Sequence, residues 1–178
     1  PGYYPCTNLL CARARKGRPV KTVIIMLMDH FADWEPAFVS SALTSELAEG
    51  YQVFYAANTK EPVSSIGGLS VLPQLTLDEV PRTAEAVLFI GADGSWHEPQ
   101  EKAAALAREM KEKGAVIGGI CDAARFLACQ GLLNDVKHTL NFREDAKDCP
   151  AYTNAAGFVQ EEAVRDGKVV TANGNAPL

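Results

Sequence analysis

From residue 21 onward, short apolar runs alternate with segments that have the spacing of amphipathic helices. Apolar runs without polar interruption are typical of strands that are covered on both faces of a sheet. The predicted strands are residues 23–28, 52–57, 86–90, 115–120, 159–164 and 168–171. Asp166 and Gly167 join the last two strands and favour a tight hairpin, and residues 63–72, broken by Gly67 and Gly68, predict a smaller one.

The intervening segments predict three helices. The first begins at Trp34 and stops at Gly50, and the second opens at Glu98 and ends at Gly114. The third covers residues 122–130 and ends at Gly131. The apolar positions of the first helix are Trp34, Phe38, Ala42, Leu43 and Leu47, and those of the second are Ala103, Leu106, Ala107 and Met110.

Strands that alternate with helices through short connections indicate an α/β fold, with a mainly parallel sheet and helices on both faces. In such folds function gathers at the carboxyl ends of the strands. That rule selects three places in this chain, which are the loop 29–35, the loop 91–97 and the junction at Cys121.

Length and charge narrow the classes of protein. A chain of 178 residues fits a single domain, here residues 21–178, and its net charge of −5 argues against a nucleic-acid partner. The apolar runs are strand-sized, so no membrane span is expected. Residues 1–20 hold four basic residues and no acidic ones. They predict an unstructured basic leader, with a nucleic-acid arm or a transit peptide as the alternatives.

The cysteines and histidines are scattered. The five cysteines have no short C-x-x-C spacing, so we expect neither a disulfide framework nor a zinc site, and no cofactor. Cys129 and Cys149 are expected to be structural. Cysteines without a disulfide pattern favour a reducing, cytoplasmic location. The cysteines lie at positions 6, 11, 121, 129 and 149, and the histidines at positions 30, 97 and 138.

The most informative stretch is residues 118–124, where a strand turns abruptly into a helix at Cys121. Small neighbours let the backbone turn, which is the logic of a nucleophile elbow. The positive end of the following helix favours a thiolate. The alternative is that Cys121 is a buried apolar side chain, as free cysteines often are.

An acidic partner for Cys121 is predicted at Glu35, which lies at the junction of the first strand and the first helix. Burial and a neighbouring thiolate would raise the pKa of this carboxyl, and its protonated form could then donate to the sulfur. The position of Glu35 in the first helical turn offers a purely structural explanation as well. His30, His97 and His138 are candidate bases, although spacing places none of them next to Cys121.

Taken together, these residues resemble the ThiJ/PfpI family of the class I glutamine-amidotransferase-like superfamily, in the branch named for intracellular proteases and amidases. The resemblance covers residues 21–178. It is carried by the first strand, residues 32–35, 64–68, 120–121, 131–133 and 170–174, and the final Ala176 and Pro177.

The resemblance implies a flavodoxin-like three-layer sandwich, usually a homodimer, with Cys121 as the reactive residue and Glu35 as its acidic partner. It also implies an oxyanion loop at residues 91–93, with the backbone N–H groups of Asp93 and Asp122 as donors. Family members normally continue into a final helix, which is expected to be missing here.

Two departures from the family pattern concern the base. Asp122 stands where protease members carry a histidine, and Asn141 stands where other members carry one. Asp122 also places a negative charge beside the thiol, which opposes thiolate formation. His30 or a water molecule is then the expected substitute.

Three functions are compatible with these residues. The first is a cysteine-dependent hydrolase or amidase that acts on a small amide or carbonyl compound. The second is a non-catalytic, chaperone-like sensor of oxidative stress with an oxidisable Cys121. The third is a ligand-binding module that kept the turn and lost the chemistry.

Overall fold

The computed structural model describes residues 19–45 and 50–174. Its main sheet has seven strands in the order β5-β2-β1-β6-β7-β9-β8, and β8 is its one antiparallel member. A separate hairpin pairs β3 with β4. The strands are β1 Lys21–Met26, β2 Tyr51–Ala57, β3 Val63–Ser64, β4 Ser70–Val71, β5 Leu75–Thr76, β6 Ala86–Phe89, β7 Val116–Ile120, β8 Ala163–Asp166 and β9 Val169–Ala172.

Three α-helices pack on this sheet. They are α1 Trp34–Thr44, α2 Glu101–Glu112 and α3 Asp122–Cys129, and the 3₁₀ turns are Leu77–Glu79, Ser95–His97 and Ala155–Gly157. Helix α1 packs on β2, α2 on β6 and β7, and α3 on β7. The mainly parallel α/β architecture and its flavodoxin-like form are therefore as predicted.

Glycines let α3 lie close to the sheet. A Cβ at Gly119 would stand 2.7 Å from Leu127 Cδ1 and 3.0 Å from the Ala123 carbonyl oxygen. Any side chain at this position would push the helix outward. The close approach fixes the start of α3 at the carboxyl end of β7, where Cys121 lies.

The prediction for the buried face of the first helix is wrong. Phe38 is 62% exposed and Ala42 is also exposed, whereas Glu35 and Pro36 are buried and Val39 packs against the core. The apolar residues of this helix are spaced so that either of two faces could be buried. In the structure the buried face is the one that begins with Glu35. Leu47 lies outside the described residues.

Two predicted boundaries move. The second helix begins at Glu101 rather than Glu98, because a 3₁₀ turn precedes it and a residue before proline is held out of the helical conformation. The strand predicted at residues 159–164 is found at Ala163–Asp166, and the hairpin at Gly167 is confirmed. The hairpin predicted within residues 63–72 is also confirmed. Strand β5 was not predicted from the sequence.

The expectation of unpaired cysteines is wrong for one pair. Cys129, at the end of α3, forms a disulfide with Cys149, and their Cα atoms lie 4.8 Å apart. The pairing joins residues 20 positions apart in the chain, so local spacing does not reveal it. Residues 1–18 lie outside the described residues, and they include Cys6, Cys11 and most of the predicted leader. Residues 175–178 also lie outside them, so the expectation that the final helix is absent stays a prediction.

In the described part of the chain, every helix is too short or too polar to span a bilayer. Within the same residues, no group of three or more histidine, cysteine, aspartate or glutamate side chains is arranged to hold a metal ion.

Candidate active site

Cys121 occupies the sharp turn between β7 and α3. Its φ of 57° and ψ of −128° lie in a region that residues with side chains rarely adopt. His30 is the other non-glycine residue with positive φ in the described part of the chain. The strand-to-helix turn predicted at Cys121 is therefore present, and it holds the side chain at the rim of the sheet.

Two glycine backbones lie against Cys121. A Cβ at Gly91 would stand 2.7 Å from Cys121 Cβ and 2.8 Å from Glu35 Oε1. A Cβ at Gly174 would stand 2.7 Å from the Cys121 sulfur. The absence of side chains at both positions leaves room for the sulfur and brings Glu35 into the same space.

Glu35 is buried at the first turn of α1, with 4% of its surface exposed. Its Oε2 accepts a hydrogen bond of 2.6 Å from the Gly91 N–H, and its buried Oε1 has no hydrogen-bond partner among the described residues. Burial raises the pKa of the Glu35 carboxyl to about 7. The Gly91 hydrogen bond opposes this increase, and the negative charge of Asp122 adds to it.

The Cys121 thiol is held as the neutral form. Burial raises its pKa, the hydrogen bonds from the Asn141 amide and the Asp122 N–H lower it, and the charges of Glu35 and Asp122 raise it further. The Asn141 Nδ2 lies 3.3 Å from the sulfur, and its Oδ1 accepts from the Gly174 N–H at 2.8 Å. The expectation that the helix end favours a thiolate does not hold, because burial and two carboxylates outweigh it.

The structure does not bring Asp93 to the oxyanion position. The Asp93 N–H donates to the His30 carbonyl oxygen at 3.0 Å, so it is engaged within the loop. His30 is exposed, and its recorded contacts are backbone hydrogen bonds with Ser64 and Asp93. No contact between His30 and Cys121 is found among the described residues.

The other two histidines have distinct surroundings. His138 is fully buried and contacts the Tyr152 hydroxyl at 2.8 Å, so it belongs to the core. The His97 Nε2 lies 3.2 Å from Asp122 Oδ2, directly beside Cys121 in the chain. The sequence places His97 in a loop that could reach the rim of the sheet, and its contact there is with Asp122.

Asp33, two residues before Glu35, has a structural role. It accepts hydrogen bonds from the Ser65 hydroxyl at 2.5 Å and the Gly67 N–H at 2.8 Å. These bonds lower the pKa of its carboxyl and attach the β3–β4 hairpin to the start of α1. The two neighbouring carboxyls therefore differ, because Asp33 is partly exposed and accepts hydrogen bonds on both oxygens, whereas Glu35 is buried and accepts one on Oε2 alone.

The sequence matches the DJ-1/PfpI family over residues 21–178. It is 35% identical over 159 residues to the uncharacterized protease YdeA of Bacillus subtilis, a match that covers 89% of this chain and 79% of that protein. It is 27% identical to the deglycase TK1284 of Thermococcus kodakarensis, covering 84% of this chain and 88% of the relative.

Solved structures show the same fold. The DJ-1 superfamily protein Atu0886 from Agrobacterium tumefaciens superposes with a TM-score of 0.82 at 35% identity, covering 89% of this chain and 84% of that one. The thiJ/pfpI family protein from Bacillus anthracis gives a TM-score of 0.81 at 27% identity, covering 90% and 80%. With the family match and the fold in agreement, this chain belongs to the DJ-1/PfpI family.

Proposed function

We propose that the chain is a cysteine-dependent hydrolase of the amidase type, with Cys121 as nucleophile and a small amide or carbonyl compound as substrate. The observation that carries this proposal is the buried Glu35 carboxyl, whose pKa is raised to about 7 in the space beside the thiol. At neutral pH such a carboxyl is present in both forms, so it can accept a proton and return it. The names of the relatives, protease and deglycase, support a hydrolytic reaction.

The proposed reaction on an amide proceeds in two stages. The Glu35 carboxylate takes the thiol proton while the sulfur attacks the carbonyl carbon, and the carbonyl electron pair moves to oxygen. When the carbonyl re-forms, the amine leaves with the proton from Glu35, and a thioester remains on Cys121. Water then attacks the thioester, and its proton passes through Glu35 to the sulfur. The acid is released and the thiol is restored.

Backbone groups at the turn support this chemistry. The Asp122 N–H already points at the sulfur, and it opens helix α3. A donor in this position can also stabilise negative charge on the substrate oxygen. Gly91 and Gly174 lie against Cys121, so a side chain at either position would collide with it.

A second candidate function is a chaperone-like sensor in which Cys121 is oxidised. The unpartnered Glu35 Oε1 favours it, because the protonated carboxyl can donate to an oxygen of a sulfinate. Two molecules of hydrogen peroxide convert the thiol to the sulfinic acid and leave two of water. The reaction needs no base beyond the residues already described.

Mild peroxide separates the two functions. A sensor gains two oxygens selectively on Cys121 without hydrolysing any substrate, and peptide mass spectrometry locates the change. Glu35→Gln keeps a hydrogen-bonding amide but loses the acidic proton, so we expect less sulfinate and more fully oxidised sulfonate in that variant. Hydrolysis that disappears on peroxide treatment would instead support the enzyme.

The effect of Glu35→Gln on turnover tests the hydrolase. Loss of the proton carrier should lower the hydrolysis of small aminoacyl p-nitroanilides by about 10²- to 10⁴-fold. Loss of its negative charge should also ease ionisation of the thiol, so iodoacetamide should alkylate Cys121 about three to ten times faster at pH 8.5. Glu101→Gln, which changes a carboxylate in α2, is the matched control. A parallel fall in both rates would contradict the role of Glu35.

The raised pKa of Glu35 also predicts a pH dependence of stability. Between the unfolded value of 4.5 and the folded value of about 7, the folded state binds more protons than the unfolded state. The free energy of unfolding should therefore fall as pH rises through this window. Relative to Glu35→Gln, the wild type should lose roughly 2–3 kcal/mol between pH 4.5 and pH 8. Urea titrations at several pH values measure this, and parallel curves for the two proteins would contradict it.

We also propose a homodimer. The exposed apolar side chains include Phe38 on α1 and, on and beside the adjoining hairpin, Ile66, Leu69 and Leu72. Asp33 joins these two elements, so their apolar groups belong to one region of the surface. Apolar surface of this kind favours association with a second copy.

Substitution within this region tests the homodimer. Phe38→Glu should convert dimer to monomer in size-exclusion chromatography with light scattering, because the charge would be buried at the interface. Phe142→Glu, which changes an equally exposed phenylalanine on another segment, should leave the dimer intact. A monomeric wild type would refute the proposal.

A cytoplasmic location stays a prediction. The proposed chemistry needs Cys121 in its reduced form, which favours a reducing compartment, whereas the Cys129–Cys149 disulfide favours an oxidising one.

A further inference from the structure

The side chains of His97 and Asp122 contact each other at the rim of the sheet. The His97 Nε2 lies 3.2 Å from Asp122 Oδ2, and the two side chains are 52% and 26% exposed. They come from successive connections, one after β6 and the other after β7. Asp122 is also the residue that directly follows the candidate nucleophile.

The 3₁₀ turn that carries His97 is fixed to helix α3. Trp96 is buried, and its indole N–H donates to the Ile90 carbonyl oxygen at 2.7 Å. Its ring lies on Phe126 of α3, with centroids 4.5 Å apart, and against Phe89 at 5.9 Å. Because Phe126 and Asp122 belong to the same helix, this aromatic packing holds His97 at the height of Asp122.

The charges that face the Cys121 sulfur are negative. Glu35 faces it from α1, Asp122 faces it from α3, and Asn141 contributes a neutral amide. Among the described residues, the contacts of the sulfur include no cationic side chain. Within residues 19–45 and 50–174, the ion-pair contact of this group with a basic side chain is the one between Asp122 and the His97 imidazole.

We propose that His97 is a positioning residue that sets the charge beside Cys121 by pairing with Asp122. A protonated imidazole neutralises the Asp122 carboxylate, and the thiol then ionises more readily. A neutral imidazole leaves the carboxylate charge in place, and the thiol is held protonated. The inference deepens the proposed function and rests on a reactive Cys121.

The rate of Cys121 alkylation by iodoacetamide, followed by peptide mass spectrometry, measures this effect without a substrate. At pH 6 the Glu35 carboxyl is mostly protonated, so its charge contributes little to the comparison of wild type with His97→Gln. His97→Gln should lower the rate about three- to ten-fold at pH 6. At pH 9, where imidazoles are neutral, it should change the rate by less than about two-fold.

The double variant shows whether His97 acts through Asp122. In an Asp122→Asn background, His97→Gln should change the rate at pH 6 by less than about two-fold, because the charge to be neutralised is gone. Asp78→Asn and Lys102→Gln remove the partners of an exposed ion pair between the 3₁₀ turn Leu77–Glu79 and α2. Each of these controls changes the net charge by one unit, away from Cys121, and should leave the alkylation rate unchanged.

The outcomes separate the two proposals. A Cys121 that is not alkylated at any pH would refute the proposed function and this inference together. A reactive Cys121 whose pH profile is the same in wild type and His97→Gln would refute the inference alone. An equal effect of His97→Gln in both backgrounds would show that His97 acts on the sulfur directly, and it would also overturn the role of Asp122.

Discussion

Strand β7 ends at Ile120 and helix α3 begins at Asp122, so Cys121 is the single residue between them. The backbone has to change direction at this residue. The left-handed φ of this residue costs about 1–3 kcal/mol, and packing around the turn has to offset that cost. The offset comes from the close contact of α3 with Gly119 and from the buried residues of the helix, which include Ala123 and Leu127. The position of the sulfur, and with it every contact of the site, depends on this turn.

Burial then determines the chemistry of the site. A carboxyl and a thiol in one small space cannot both ionise at low cost, since each charge opposes the other in a poorly solvated environment. Gly91 contributes a backbone donor to Glu35, but the second carboxylate oxygen is left without one. The fold thus keeps the protons of both groups to a higher pH than water would. A permanently charged thiolate is therefore disfavoured at neutral pH.

The sequence was sufficient to predict features that local pattern determines. The parallel strands follow from apolar runs, the turn at Cys121 follows from its small neighbours, and Glu35 follows from its place after β1. Features that depend on how distant segments meet were wrong or missed. Phe38 was expected on the buried face of α1, but the spacing of this helix fits two faces and the structure buries the other one. Asp93 was expected to be an oxyanion donor, but its N–H donates to the His30 carbonyl oxygen. The disulfide of Cys129 with Cys149 likewise depends on the approach of two distant segments.

The histidine of this site illustrates why spacing alone cannot locate a functional group in a parallel α/β fold. The carboxyl ends of adjacent strands open onto one rim, so the loops after β1, β6 and β7 all reach the same few ångströms around Cys121. A side chain lost from the turn itself can be supplied from a neighbouring loop if that loop is rigid enough to hold it. Trp96 gives the loop after β6 this rigidity through its contact with Phe126. Asp122 and His97 therefore meet from separate connections, and their contact is visible only in the folded chain.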